Sequence, residues 1–298
     1  MKLFLMLLFF CLSFSSFADE LKLHVIKSPV GINWSTPWKL AITTVKNQIA
    51  PVGNKRAYSI SHVFVEVNCP SVNTRILRGM TSATNTEERD IIFKKKYGLG
   101  AMFHTYVGKL EKDQEIEEDL LPYKGAHRKA ELTFKVSPLA CQRMLDYAEE
   151  YEQLGYGQMY SGLQADPLKG EGAGCSAFAV SFMRVAGLMD DFTSDWKQKI
   201  NIPKKLIGGP LTGNRVKFSF LLLNPFLRWS SDIPHIHLEA WDPELMHQWI
   251  HKTYFEIRND RYESYFPVSI SNDQDTLKLE INMENRETPI GSFWIPNV

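Results

Sequence analysis

Apolar positions recur at every second residue in some stretches and at every third or fourth in others, so strand-like and helix-like segments alternate along the chain. Residues 21–26 alternate as a short strand. Ser35-Thr36-Pro37-Trp38 sets a capping hydroxyl before a proline, which predicts a helix to about Asn47. Residues 57–67, Ala-Tyr-Ser-Ile-Ser-His-Val-Phe-Val-Glu-Val, are β-branched and aromatic with period-two character and form the clearest strand of the sequence. A turn at Pro70-Ser71 predicts a partner strand over 73–81. A weaker strand is expected over 101–110, behind Gly98 and Gly100.

The charged stretch 109–119 reads as a solvated loop or helix face rather than a binding element. Residues 131–136 read as a strand. Ser137-Pro138 then opens a helix whose Cys141, Met144, Leu145, Ala148 and Tyr151 recur with the spacing of a core-facing stripe. A glycine-rich loop, 155–174, leads to Cys175 in the first turn of an apolar helix, with Phe178, Phe182 and Val185 on one face and Gly187 able to end it. The segment 203–214, rich in glycine, proline and lysine, is the candidate boundary. Strands near 216–223, 235–241 and 276–283 predict a mainly β region beyond it. The expected fold class is α+β: a leader at 1–18, a domain over 19–210 with an antiparallel sheet against a cysteine-bearing helix, and a mainly β region over 211–298.

The leader rests on Met1-Lys2, the apolar run 3–12 and the small residues up to Ala18, which have the anatomy of a cleavable secretory signal. A membrane anchor needs about 18 or more apolar residues, and this run is shorter. Cys11 follows Leu8-Phe9-Phe10 rather than a lipoprotein box. The chain is therefore expected to be exported, to the periplasm or beyond the cell, with no integral membrane segment. Lys+Arg and Asp+Glu balance at 34 each, without a basic stripe interleaved with aromatics, which argues against a nucleic-acid partner. Cleavage after Ala18 removes Cys11 and leaves Cys69, Cys141 and Cys175, an odd set in an oxidising compartment. Count alone favours three reduced, buried thiols; if Cys69 and Cys141 pair instead, Cys175 is the thiol left free, and the core-facing position of Cys141 argues against that pairing.

A thiol at a helix N-terminus is easier to ionise, because unpaired amides and the macrodipole favour the thiolate. Gly170-Glu171-Gly172-Ala173-Gly174-Cys175 places one there, behind glycines that let the backbone approach a substrate. Such a nucleophile needs a base, and His62 opens the clearest strand. Glu66 shares the face of His62 on that strand, and Thr81 returns beside it if the hairpin turns near Ser71. Both are candidates to orient the ring. The order of a histidine-bearing strand (Ser61-His62-Val63-Phe64-Val65-Glu66-Val67), Phe134-Lys-Val-Ser-Pro-Leu entering a helix, a tyrosine- and glycine-rich loop, and Cys175 opening an apolar helix resembles the circularly permuted papain-like group related to the NlpC/P60 hydrolases, over about 58–188. The resemblance implies Cys175 as nucleophile, His62 as base, no cofactor, and an amide or ester substrate: a peptide, a cell-wall peptide or a lipid. Many relatives carry asparagine where this chain has Gly174.

The competing reading is a metal-binding or ligand-binding module without catalysis. His235 and His237 fall on one strand face and His247 and His251 on one helix face, so four imidazoles could ligate zinc or copper. Gln248 stands where the metalloprotease helix motif has its glutamate. Trp229, Trp241 and Trp249 are the candidates for an aromatic platform.

Overall fold

The computed structural model describes residues 18–50, 58–123, 127–264, 266–273 and 276–296; the leader ahead of Ala18 lies outside these. The elements run β1 (Asp19–Ile26), α1 (Pro37–Ile49), β2 (His62–Cys69), β3 (Thr74–Ser82), α2 (Asn85–Arg89), β4 (Tyr106–Lys112), α3 (Asp113–Leu120), β5 (Lys129–Val136), α4 (Pro138–Gln153), β6 (Met159–Tyr160), α5 (Cys175–Val185), β7 (Lys197–Pro203), α6 (Phe218–Leu223), β8 (His235–Trp241), α7 (Pro243–Arg258), β9 (Val268–Asp273) and β10 (Thr276–Asn282). The fold is mixed α+β. Its centre is an eight-stranded sheet in the order β6-β4-β3-β2-β1-β5-β10-β9, antiparallel except where β10 runs parallel to β5. The strands β7 and β8 form a separate antiparallel pair.

Period-two alternation decides which side chains each face of the sheet receives. Leu21, Leu23 and Val25 of β1, Val63, Val65 and Val67 of β2, and Leu132 and Phe134 of β5 enter the main core with α4, α5 and α7. On the opposite face Ile26, Phe64 and Leu77 pack with Ile116 and Leu120 of α3 and with Tyr123. Helix α5 is buried on every side from Cys175 to Met183, and it packs against β2, β3, α4 and β8. A helix apolar all round belongs inside the protein, and α5 does. Its two buried hydroxyls are satisfied: Tyr147 donates to Ser181 Oγ at 2.8 Å, Ser181 donates to the Phe178 carbonyl at 2.6 Å, and Ser176 donates to the Trp241 carbonyl. Among the described residues, no helix is long and apolar enough to cross a membrane.

The structure departs from the sequence pattern in three places. Residues 99–103 wind into a 3-10 turn, and β4 begins only at Tyr106. Gly98 has φ +51°, and a Cβ on Gly100 would meet the Gly208 carbonyl oxygen at 2.0 Å, so this segment abuts another backbone instead of joining a ladder. The expected strand over 216–223 is the helix α6. Phe-Ser-Phe-Leu-Leu-Leu is a short apolar run to which periodicity assigns no single state. The region beyond Pro210 is not mainly β: α7 is sixteen residues long, and its Met246, Trp249 and Ile250 lie in the main core. Strand β10 also completes the central sheet, so this region shares that sheet with the first part of the chain.

The expectation of three reduced thiols is overturned. Cys69 at the end of β2 is disulfide-bonded to Cys141 in the first turn of α4, across a sequence separation of 72. Cys175 is the free cysteine among the described residues. The stripe that makes Cys141 core-facing is what brings it under Cys69, and both are fully buried. A crosslink over so long a loop restricts the unfolded chain strongly, so a Cys69→Ala/Cys141→Ala variant is expected to lose about 2–5 kcal/mol of stability in urea titration. A chain starting at Asp19 should titrate one thiol when denatured without reductant and three with it.

Candidate active site

The register of the three strands β2, β3 and β4 puts Phe64 opposite Gly79 and Gly79 opposite Glu111. Residues directly opposite share a sheet face, and His62 lies two positions from Phe64 on that same face. Gly79 therefore interposes no side chain between β2 and β4. A Cβ there would meet Phe64 Cδ1 at 2.6 Å and Glu111 Oε2 at 2.9 Å. Through this gap the Glu111 carboxylate reaches across β3, and its Oε2 lies 3.2 Å from His62 Nε2.

The imidazole is held on several sides. The Tyr58 ring stacks on it at 4.3 Å between centroids with an interplanar angle of 7°, and Phe64 meets it edge-on at 4.5 Å. Tyr58 is itself pinned through its backbone, for its N–H donates to Tyr123 Oη at 2.6 Å and its carbonyl accepts from Arg128 at 3.0 Å. The Tyr58 hydroxyl donates to Glu111 Oε1 at 2.8 Å, so both oxygens of that carboxylate are engaged. Asp119 Oδ2 lies 3.1 Å from the same hydroxyl.

Cys175 stands at the first turn of α5, near enough to the His62 ring for its sulfur to act on the charge of the imidazole. Burial works against a charged imidazole, but the adjoining Cys175 sulfur, by charge and hydrogen bonding, and then Glu111, push His62 up to about 10. Burial also opposes the Glu111 charge, yet the hydrogen bond to His62, the positive charge there and the Tyr58 hydroxyl hold its carboxyl below the ordinary carboxylate value. Tyr160 of β6 is half-buried near the same site, and burial first, then the neighbouring Cys175, raise its phenol well above the ordinary value.

The glycines ahead of Cys175 have separate reasons. Gly172 has φ +75°, and a Cβ on it would meet the Met159 carbonyl oxygen at 2.5 Å, so the loop passes too close to β6 for a side chain. At Gly174 a Cβ would find only the Ser161 carbonyl oxygen at 3.8 Å, and packing forbids nothing there. Gly174 is the N-cap of α5 and supplies no capping side chain, which leaves the first-turn amides of the helix without that partner. Ser176 Oγ donates to the Trp241 carbonyl at 2.8 Å and fixes this turn against β8. A cavity of about 510 Å³ lies beside the same helix, lined by Ala177, Arg184, Lys197, Glu239 and Trp241 among others, and Cys175 does not line it.

Of the residues singled out by the sequence, Cys175 and His62 are brought together. Glu66 is not part of the arrangement: it binds His24 Nε2 at 2.8 Å and Arg75 Nε at 2.8 Å. Despite burial, those two partners hold its carboxyl down to about 2. Thr81 pairs with Lys109 of β4, and the β2–β3 ladder stops at Phe64 opposite Gly79, short of the register that would set Thr81 beside His62. The residue that fills the place is Glu111, inside the stretch read as solvated. Period-two alternation groups Glu111 with the exposed Val107 and Lys109, and nothing in a run of charges distinguishes one carboxylate from the next.

The four C-terminal histidines do not assemble. His235 Nδ1 lies 2.9 Å from the Ile233 carbonyl oxygen, and His237 Nδ1 lies 2.8 Å from Asn201 Oδ1, both on β8. His247 and His251 stack on α7 with centroids 4.8 Å apart. Burial, then His251 and Lys27, lower His247 to about 3, as suits a neutral core residue. Among the described residues, the grouping of three or more possible ligands is Glu111, Glu115 and Asp119. The tryptophans form no platform, for Trp249 is buried against Phe192 and Trp196, Trp241 carries the Lys197 ammonium over its ring, and Trp229 donates to the Trp34 carbonyl at 2.5 Å.

Two outcomes follow from this geometry. Gly79→Ala should cost about 1–3 kcal/mol by overpacking and should lower the His62 pKa, read by NMR of the imidazole, because the new methyl group displaces Glu111. An unchanged titration would show that Glu111 does not depend on the gap. The folded His62 holds its proton more tightly than the ordinary histidine at 6.5, so its contribution to stability is complete below that pH and is lost as pH rises through about 10. The urea stability difference between wild type and His62→Gln is expected to shrink between about pH 7 and about pH 11.

No family model matches the chain, and neither a curated protein nor a solved structure matches it.

Proposed function

We propose that the chain is an exported thiol hydrolase or acyltransferase acting on an amide or ester, with a papain-like arrangement in which Cys175 is the nucleophile, His62 the general base and Glu111 the residue that orients the ring. The observation that carries this reading is the buried imidazole, which meets the Glu111 carboxylate at 3.2 Å and feels the Cys175 sulfur beside it. With Nε2 turned to Glu111, Nδ1 is left to hold the proton given up by the thiol, so that sulfur and ring would work as a thiolate–imidazolium pair. The sulfur would attack the carbonyl carbon, and the first-turn amides of α5 would receive the developing oxyanion. The proton on His62 would then pass to the departing amine or alcohol. Water, or a second nucleophile, deprotonated by the same ring would cleave the thioester and restore the thiol.

The chain order of histidine strand before cysteine helix supports the permuted papain-like group as the relevant type. Export is supported by the Cys69–Cys141 disulfide, since such bonds persist in oxidising compartments. The substrate stays at the level of an acyl compound, a peptide, a cell-wall peptide or a lipid.

Iodoacetamide alkylation at near-neutral pH tests the reading. Cys175 should react faster than free cysteine, and His62→Ala should bring it to or below that rate. With an activated ester, Cys175→Ala should abolish turnover and Glu111→Gln should lower kcat by about two to four orders of magnitude. A thiol no more reactive than free cysteine, with full biological effect in Cys175→Ala, would assign the chain to ligand binding without catalysis.

A further inference from the structure

The whole chain is balanced in charge, but the stretch from Pro203 to Pro234 is not: it carries Lys204, Lys205, Arg215, Lys217 and Arg228 against Asp232 alone. All five basic side chains are exposed. The same stretch turns large apolar side chains outward. Leu223 is 81% exposed, Phe226 82% and Phe220 46%. Phe93, 60% exposed, meets Phe218 edge-on at 5.8 Å and brings the exposed Lys94 and Lys95 to the same place.

This exposure is built into the fold. Leu221 and Leu227 are buried in a second core, formed with Leu40 of α1, Ile202 of β7 and Leu238 of β8, so the chain between them is forced out as a knuckle. Trp38 Nε1 donates to the Leu222 carbonyl at 3.0 Å, and the Phe226 N–H donates to Asn224 Oδ1 at 3.2 Å, which fixes the turn from both sides. Contiguous exposed apolar surface on a soluble protein marks a contact site.

We propose that this knuckle docks the protein on an anionic phospholipid surface, with Phe220, Leu223 and Phe226 entering the boundary between headgroups and acyl chains and Arg215, Lys217 and Arg228 lying against the headgroups. Three features select this occupant. The apolar side chains protrude instead of lining a groove, so they suit a medium they can enter. The charge around them is mainly positive, with only Asp232 in the stretch and Asp90 paired to Lys94 on the other side, and anionic headgroups complement it. A second copy of the chain applied face to face would set basic residue against basic residue. The inference does not depend on the chemistry at Cys175.

Sedimentation of the purified protein with vesicles tests it, using phosphatidylcholine alone and phosphatidylcholine with about one third phosphatidylglycerol. Binding is expected to the anionic vesicles and to weaken as salt rises from about 0.1 M to about 0.5 M. Leu223→Ser/Phe226→Ser should lower the partition coefficient by about tenfold or more, and Lys217→Glu/Arg228→Glu should remove the preference for anionic lipid. Both pairs are exposed, so thermal midpoints and the alkylation rate of Cys175 should stay as in wild type. This separates the outcome from that of the thiol test. No binding to either vesicle, or binding that neither variant alters, overturns the proposal. A dimer that forms without lipid and is lost in Leu223→Ser/Phe226→Ser also overturns it, and assigns the knuckle to a second copy of the chain.

Discussion

A fully buried imidazole keeps a proton only where neighbours replace the hydration it has lost, and this requirement organises the centre of the molecule. His62 meets it with a sulfur, a carboxylate and a stacked phenol ring. Each partner comes from a different element, so the arrangement exists only when β2, β4, α5 and the segment at Tyr58 are all in place. The same sheet face holds a second buried histidine, His24, set between Glu66 and Glu131 at 2.8 Å and 3.3 Å. That ring has carboxylates on both sides and no thiol, and it belongs to a ladder of charges with Lys22, Arg75 and Lys129. The two histidines separate structural burial of charge from an arrangement with a nucleophile in it.

The sheet supplies this geometry through one missing side chain. Any residue larger than glycine at position 79 would occupy the space between β2 and β4. The outer partners are then locked by backbone: Tyr58 hangs between Tyr123 and Arg128, and α5 is tied to β8 through Ser176. Pre-organisation of this kind leaves little rearrangement to be made when a ring must donate or accept a proton.

Much of this was legible in the sequence where the signal is local. Alternation located β1, β2, β5, β8 and β10, and hydroxyl-proline pairs marked the starts of α1 and α4, whose caps Thr36 and Ser137 accept from Lys39 and Ala140. A cysteine behind glycines at a helix start and a histidine at a strand start were both readable as chemistry. Glu111 was not, because its role depends on strand register across β3 and on an absent side chain at Gly79, and neither is a local property. The pairing of Cys69 with Cys141 stayed an open alternative for a related reason, since core-facing spacing alone does not distinguish a packed thiol from a bonded one. Helix α6 was misread because a short apolar run takes its state from what it packs against, and here that is α1 and the second core.

The disulfide has a chemical consequence for the remaining thiol. Beyond Ala18 the chain holds three cysteines, and two of them are consumed in a fully buried bond. A sulfenic acid formed on Cys175 therefore has no resolving cysteine among the described residues to capture it. Such damage could be reversed only by a thiol brought from outside, and without one it would advance to the sulfinic state. In an oxidising compartment the working lifetime of the protein would then be set by how well the buried position of Cys175 keeps peroxide away.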